Sequence, residues 1–147
     1  MLGSLAGGCP EVCAITEHDR VVDPTLAFSV LLAIYGRCAS ARNFTDQLMQ
    51  EIADAGGLVA IGYWKAAVCD ITPAGVAAAI TYAVDLVGED HVALGSDFDG
   101  GTQTAFDTAE LAVITQALLD AGLSTTVIRK VMGENSVQFL LRWLPRT

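Results

Sequence analysis

Two carboxylates one residue apart, Asp97 and Asp99, stand in the stretch from His91 to Gly101, HVALGSDFDGG. The apolar run Val92, Ala93 and Leu94 before them reads as a buried strand, and Gly95-Ser96 brings the backbone out of it. Parallel α/β folds collect their chemistry just past the carboxyl ends of buried strands, so a carboxylate here is placed to take or give a proton. Asp also caps loops and the helices that follow them. From this stretch alone, capping is the better account.

Most other groups of chemical interest fall away on spacing. The loop from Asp97 begins like a calcium loop, but its sixth position is Thr102 instead of glycine and its twelfth is Thr108 instead of glutamate. Cys9 and Cys13 have no second cysteine or histidine pair at zinc-site spacing and read as ordinary thiols. His18, between Glu17 and Asp19, reads as part of a solvated charged turn. His91, next to Asp90 and just before a strand, reads as a hydrogen-bonded structural histidine. H-E-x-x-H, a Walker loop and G-x-S-x-G are absent.

The elements that must position Asp97 can be read from periodicity and punctuation. Leu26 to Ile34 is either a strand running into a helix or one short buried helix. Asn43 or Thr45 can cap a helix to about Ala55, with Phe44, Leu48, Met49 and Ile52 on one face and Gly56-Gly57 ending it. Leu58 to Tyr63 reads as a strand. Thr72-Pro73 starts a helix whose stripe Val76, Ala79, Ile80, Ala83 and Leu86-Val87 stops at Gly88. Strand, helix and the strand at 92–96 make a βαβ unit, which is parallel and right-handed. Thr108 can cap the next helix, with Leu111, Ile114, Leu118 and Ala121 facing inward. Ser124 caps another, interrupted at Gly133-Glu134-Asn135, and Val137, Leu140, Leu141 and Leu144 form a last amphipathic set. Trp143 reads as a packing residue.

The bulk numbers set the frame. A chain of 147 residues, 52% hydrophobic, can bury one real core. A net charge of -9 argues against nucleic acid or an anionic membrane surface as partner. No segment approaches the roughly 20 apolar residues of a spanning helix, and no signal peptide is evident. The four cysteines are too scattered for a disulfide scaffold, so free thiols in a reducing cytoplasm are expected.

Three blocks carry a resemblance: ARNFTDQLMQEIADAGGLVAIGYW (41–64), VGEDHVALGSDFDGG (87–101) and ALLDAGLSTTVIRKVMGEN (117–135). In wording, order and spacing they resemble the membrane (renal) dipeptidase family, peptidase family M19. The resemblance covers about residues 38–147 and leaves 1–37 as a divergent segment. It implies an α/β fold, the C-terminal part of a metal-dependent hydrolase (β/α)8 TIM-type barrel. It also implies a hydrolase of dipeptides with two zinc ions, in which metals polarise the scissile carbonyl and a nearby carboxylate handles the proton. The family's catalytic aspartate falls on Asp97, which also touches substrate. Its arginine, which grips the free carboxylate of the substrate, falls on Arg42. Asp99 is then a supporting residue.

The resemblance breaks upstream. The family's zinc ligands all precede the R-N block, and the last histidine belongs in an S-H-S context where this chain reads Phe28-Ser29-Val30-Leu31-Leu32. Neither His18 nor His91 falls on a ligand position, so no zinc ligand is assigned here and zinc binding by this chain alone is not expected. A complete barrel takes roughly 200 residues or more, so three or four strand–helix units are expected in an incomplete barrel. Open sheet edges then invite self-association or a complementary chain. The expectation is a truncated dipeptidase, inactive in isolation. The competing expectation is a non-catalytic remnant or interaction module pairing through exposed sheet edges.

Overall fold

The computed structural model describes residues 29–34, 43–96, 98 and 101–144, and for 29–34 the backbone course alone. Its centre is a four-stranded sheet in the order β2-β1-β3-β4, with β1 Ser29–Ile34, β2 Asn43–Phe44, β3 Leu58–Gly62 and β4 Val92–Gly95. Every pairing is parallel. The ambiguous run at 26–34 therefore contributes a strand. Its hydrogen-bonding partners Leu58 to Ile61 decide what the run's own periodicity could not. Phe44 belongs to β2, not to the helix face predicted for it.

The helices start where short polar side chains satisfy free N–H groups. Thr45 caps α1 (Asp46–Asp54) by accepting from the Leu48 amide. Gly56, at φ 80°, takes the left-handed turn after α1 that a side chain would strain. A short α2 (Lys65–Val68) leads to α3 (Pro73–Val87), where Thr72 accepts from the Gly75 amide and Pro73 occupies the first turn. The next cap lies one residue earlier than predicted. Asp107, not Thr108, forms a capping box with Glu110 around a single 3-10 turn, and α4 (Ala112–Asp120) follows. Both residues are plausible caps, but only Asp107 has a glutamate three positions on to reciprocate. Ala121, predicted to face inward, is exposed. Ser124 caps α5 (Thr125–Arg129), and a π-type turn, Lys130–Glu134, carries the chain into α6 (Asn135–Trp143).

The sheet buries both faces, and alternation along the strands sorts the residues between them. Val59, Ile61 and Val92 face one side, packed by Met49 and Ile52 of α1, Val76 and Ile80 of α3, and Ile114 and Leu118 of α4. Because α3 is the crossover between parallel β3 and β4, this is the helix-bearing side. Leu58, Ala60 and Ala93 face the other side, where Phe139 of α6 covers them. Asn135 anchors α6 there. It is 6% exposed, and its Nδ2 donates to the carbonyls of Glu89 (2.7 Å) and Val92 (2.8 Å) at the start of β4.

The free-thiol expectation fails at Cys69, which is disulfide-bonded. The other three cysteines, Cys9, Cys13 and Cys38, all lie outside the described residues. The compartment reading loses the support it drew from this thiol. Among the described residues, no helix is long and apolar enough to cross a membrane.

Candidate functional site

The carboxyl edge of the parallel sheet gathers the described neighbours of both candidate residues. Register pairs Gly62 with Gly95, the last residues of β3 and β4, and pairs Asn43 with Ala33 near the end of β1. Asp97 follows Gly95 by two residues, and Arg42 immediately precedes Asn43. Asp97, Arg42 and Asp99 themselves lie outside the described residues, as do His18, Cys9 and Cys13.

An aromatic seat holds the described part of the loop. Phe98, between the two aspartates, meets Tyr63 edge to face at 6.0 Å, and its amide donates to Ser96 Oγ at 3.4 Å. Tyr63 stacks at a tilt on Phe106, 5.3 Å away. Tyr63 is 1% exposed, and burial pushes its phenol well above the ordinary tyrosine range, so the hydroxyl stays protonated through any working pH. Beside it, the six-membered ring of Trp64 lies over Gly62, where a methyl group would overlap it.

Sequence alone does not single these residues out. Tyr63 and Trp64 look like the end of a strand, and the available signal is their position one and two residues past it. A second overlooked pair ties α3 to α1. The Tyr82 hydroxyl donates to Asp46 Oδ2 at 2.6 Å, while the buried Asp46 Oδ1 has no hydrogen-bond partner among the described residues.

His91 is the structural histidine predicted. Its Nδ1 lies 2.9 Å from the Gly57 carbonyl, one residue before β4 begins. That is the amino edge of the sheet. Four residues of strand put it about 13 Å from the carboxyl edge. The chain has two histidines, and this one is spent at the wrong end. Among the described residues, no group of three or more His, Cys, Asp or Glu side chains is arranged to hold a metal ion. The described residues do not fit a pair of zinc ions.

Away from this edge the charged contacts are structural. Lys130 bridges Asp90 and Glu89, which raise its pKa, and so fastens the turn after α5 to the loop before β4. Arg129 and Glu134 form an exposed pair at 2.8 Å.

Comparison with known proteins gives a consistent answer. The family described as membrane dipeptidase (peptidase family M19) matches residues 32–142. An uncharacterised protein from the pqqA 5′ region of Klebsiella pneumoniae is 34% identical over 112 residues, covering 70% of this chain and 41% of that protein. Dipeptidase ataJ of Aspergillus terreus is 27% identical over 147 residues, covering 84% of this chain and 36% of that one. Among solved structures, a metallo peptidase from Rhodobacter sphaeroides, liganded with a phosphinate mimic of the dipeptide L-Ala-D-Ala, superposes with a TM-score of 0.71. It is 26% identical and covers 78% of this chain and 35% of that one. The chain thus spans between 35% and 41% of the length of these three proteins.

Proposed function

Because the chain belongs to the membrane dipeptidase family, peptidase family M19, with a partial TIM-type barrel fold, we propose that it furnishes the carboxyl-edge portion of a dipeptide-hydrolysing site. In this reading Asp97 is the carboxylate that carries the proton during attack on the scissile bond, and Arg42 grips the free carboxylate of the dipeptide. The ligands for the family's zinc pair come from outside the described residues. When bound, the zinc pair would supply Lewis acidity and an activated water.

One observation carries the reading. The family match spans β2 through α6, and the described residues next to Arg42 and Asp97 lie on the carboxyl edge of the sheet, on its two outer strands, the edge where such barrels do their chemistry. The alternative, a non-catalytic interaction module, has the exposed apolar residues of α6 in its favour.

The test is zinc content followed by turnover. The purified chain, dialysed and measured by elemental mass spectrometry, is expected to hold well under two zinc ions. Supplied with the remaining portion of a family domain and zinc, it is expected to hydrolyse simple dipeptides. Asp97→Asn should then lower kcat by about 10²–10⁴-fold with little change in KM. Arg42→Ala should chiefly raise KM. Unchanged turnover in either variant would refute that residue's role, and no turnover in a zinc-loaded assembly would favour the interaction module.

A further inference from the structure

Cys69 combines three features that no other described residue shares. It is disulfide-bonded, it is exposed, and it holds a positive φ without being glycine. We infer that its disulfide is a reducible latch, which keeps a strained turn closed and thereby seats α2 against the first residue of β2 at the carboxyl edge. That this edge grips a dipeptide rests on the proposed function; the latch itself does not.

The strain is local and lies in the backbone. At φ 60° and ψ -48°, Cys69 is the centre of a three-residue turn, closed by the Asp70 amide donating to the Val68 carbonyl at 2.7 Å. This form of the γ-turn crowds a side chain against the backbone, and such conformations persist where surrounding bonds hold them. The downstream side is held firmly. Asp70 Oδ1 accepts from the amide and hydroxyl of Thr72, and Asp70 packs so closely on Gly75 that a methyl group there would overlap it. The start of α3 therefore fixes Asp70. The upstream side is weaker, because α2 has four residues and its first turn receives no side-chain cap. When the turn opens, α2 is the part that moves. Its movement reaches the carboxyl edge directly: Asn43 Nδ2 donates to the Ala67 carbonyl at 3.4 Å, and Asn43 begins β2 immediately after Arg42.

Opening the latch takes a dithiol reductant. One thiolate of the dithiol attacks the Cys69 sulfur, the S–S bond breaks, and the partner cysteine leaves as a thiolate. The second thiol of the dithiol then displaces Cys69 and closes the reductant's own disulfide. Two electrons and two protons pass to the chain, which ends with two thiols. The exposure of Cys69 admits the first attack, and exposed or strained disulfides are the readily reduced ones.

The test treats the native chain, without urea, with reduced dithiothreitol. Cysteines are counted by alkylation and mass spectrometry, and amide hydrogen exchange is followed along the chain. The expected result is a gain of two alkylated cysteines that oxidised dithiothreitol reverses. Amides of Ala67, Val68 and Cys69 should then exchange about tenfold faster, while Val92 to Leu94 keep their protection. Cys69→Ser breaks the bond and keeps the strained φ, so it should match the reduced chain. Cys69→Gly breaks the same bond but accepts a positive φ, so its gain in exchange should be about threefold smaller. Equal gains in the two variants overturn the inference, because no strain is then released. So does a bond that yields to the reductant in urea alone, or a reduction that frees Val92 to Leu94 together with α2, since the bond is then a staple of the whole fold. Turnover is read on the variants, because dithiols bind zinc. In the zinc-loaded assembly, Cys69→Ser should raise KM for a simple dipeptide about three- to tenfold with kcat little changed, and Cys69→Gly should raise it less. A KM that stays constant while α2 opens overturns the link to the substrate edge. An assembly that never turns over counts against the proposed function, and the exchange results then decide the latch by themselves.

Discussion

Two residues carry more of this structure than their size suggests. Gly62 ends β3 under the Trp64 ring, and Trp64 is 8% exposed, so the indole has little room to retreat. Gly62→Ala is expected to destabilise the chain by about 1–3 kcal/mol through overpacking. Tryptophan emission should shift to longer wavelength as the indole is pushed toward water. An unchanged urea midpoint and spectrum would mean that the ring yields freely. Asn135 is the converse case, a buried polar group with both amide hydrogens placed on carbonyls. Asn135→Ala leaves the buried Val92 carbonyl without this partner, at a cost of about 2–3 kcal/mol in urea unfolding. Neither role is legible from sequence. Glycine at a strand end and asparagine two residues past a glycine both look like ordinary loop residues until their neighbours are known. Asp97 and Arg42 are legible in the opposite sense, through the wording around them, while their geometry lies outside the described residues.

At the start of α3 the local chemistry is self-sufficient, and there the sequence is easiest to read. Asp70 Oδ1 accepts from the Thr72 hydroxyl at 2.7 Å and the Thr72 amide at 3.0 Å, and Thr72 in turn accepts from the Gly75 amide. These two donations hold the Asp70 carboxyl below its ordinary pKa, the hydroxyl contributing first. A depressed folded-state pKa gives stability that is present above the unfolded value, near pH 4, and lost as pH falls through the lower folded value. Thr72→Val removes the hydroxyl and keeps the amide. Asp70 should then titrate closer to its ordinary value in carboxyl NMR, and the acid-side loss of stability should shrink. Loss of the cap should itself cost about 1 kcal/mol at neutral pH. An Asp70 titration that does not move would assign its shift to the backbone alone. Caps such as Thr45, Thr72 and Ser124 are readable because cap and helix are neighbours in sequence. The choice between Asp107 and Thr108 turns on the reciprocating Glu110, and the strand at 29–34 turns on partners more than twenty residues away. The last helix reads as amphipathic, and it is, but periodicity cannot say that its apolar stripe faces outward.

For the whole molecule, the least expected feature is the Cys69 disulfide, since four scattered cysteines in an acidic chain give no framework to read. Cys69 sits between α2 and α3 on the helix-bearing side of the sheet. Whichever of the three upstream cysteines it joins, the bond closes a loop of about thirty residues or more. In the chain-entropy account such a loop raises stability by about 3–4 kcal/mol, against a typical total of about 5–15 kcal/mol for a domain. Its weight is greater in a partial barrel, where two strand edges are open among the described residues and less surface is buried per residue. Thiol titration of the urea-unfolded protein without reductant should therefore find fewer than four thiols, and reductant should lower the urea midpoint markedly. Cys69→Ser should start from the lower midpoint and gain nothing further from reductant. The bond also ties the α2–α3 junction to a residue upstream of β2 in sequence, so its loss should loosen β2 and α2 before the α3–β4 core. Hydrogen exchange checks this order: amides of β2 and α2 should gain exchange on reduction while Val92 to Leu94 hold theirs. Four titratable thiols and a midpoint indifferent to reductant would show that packing alone holds this side of the sheet.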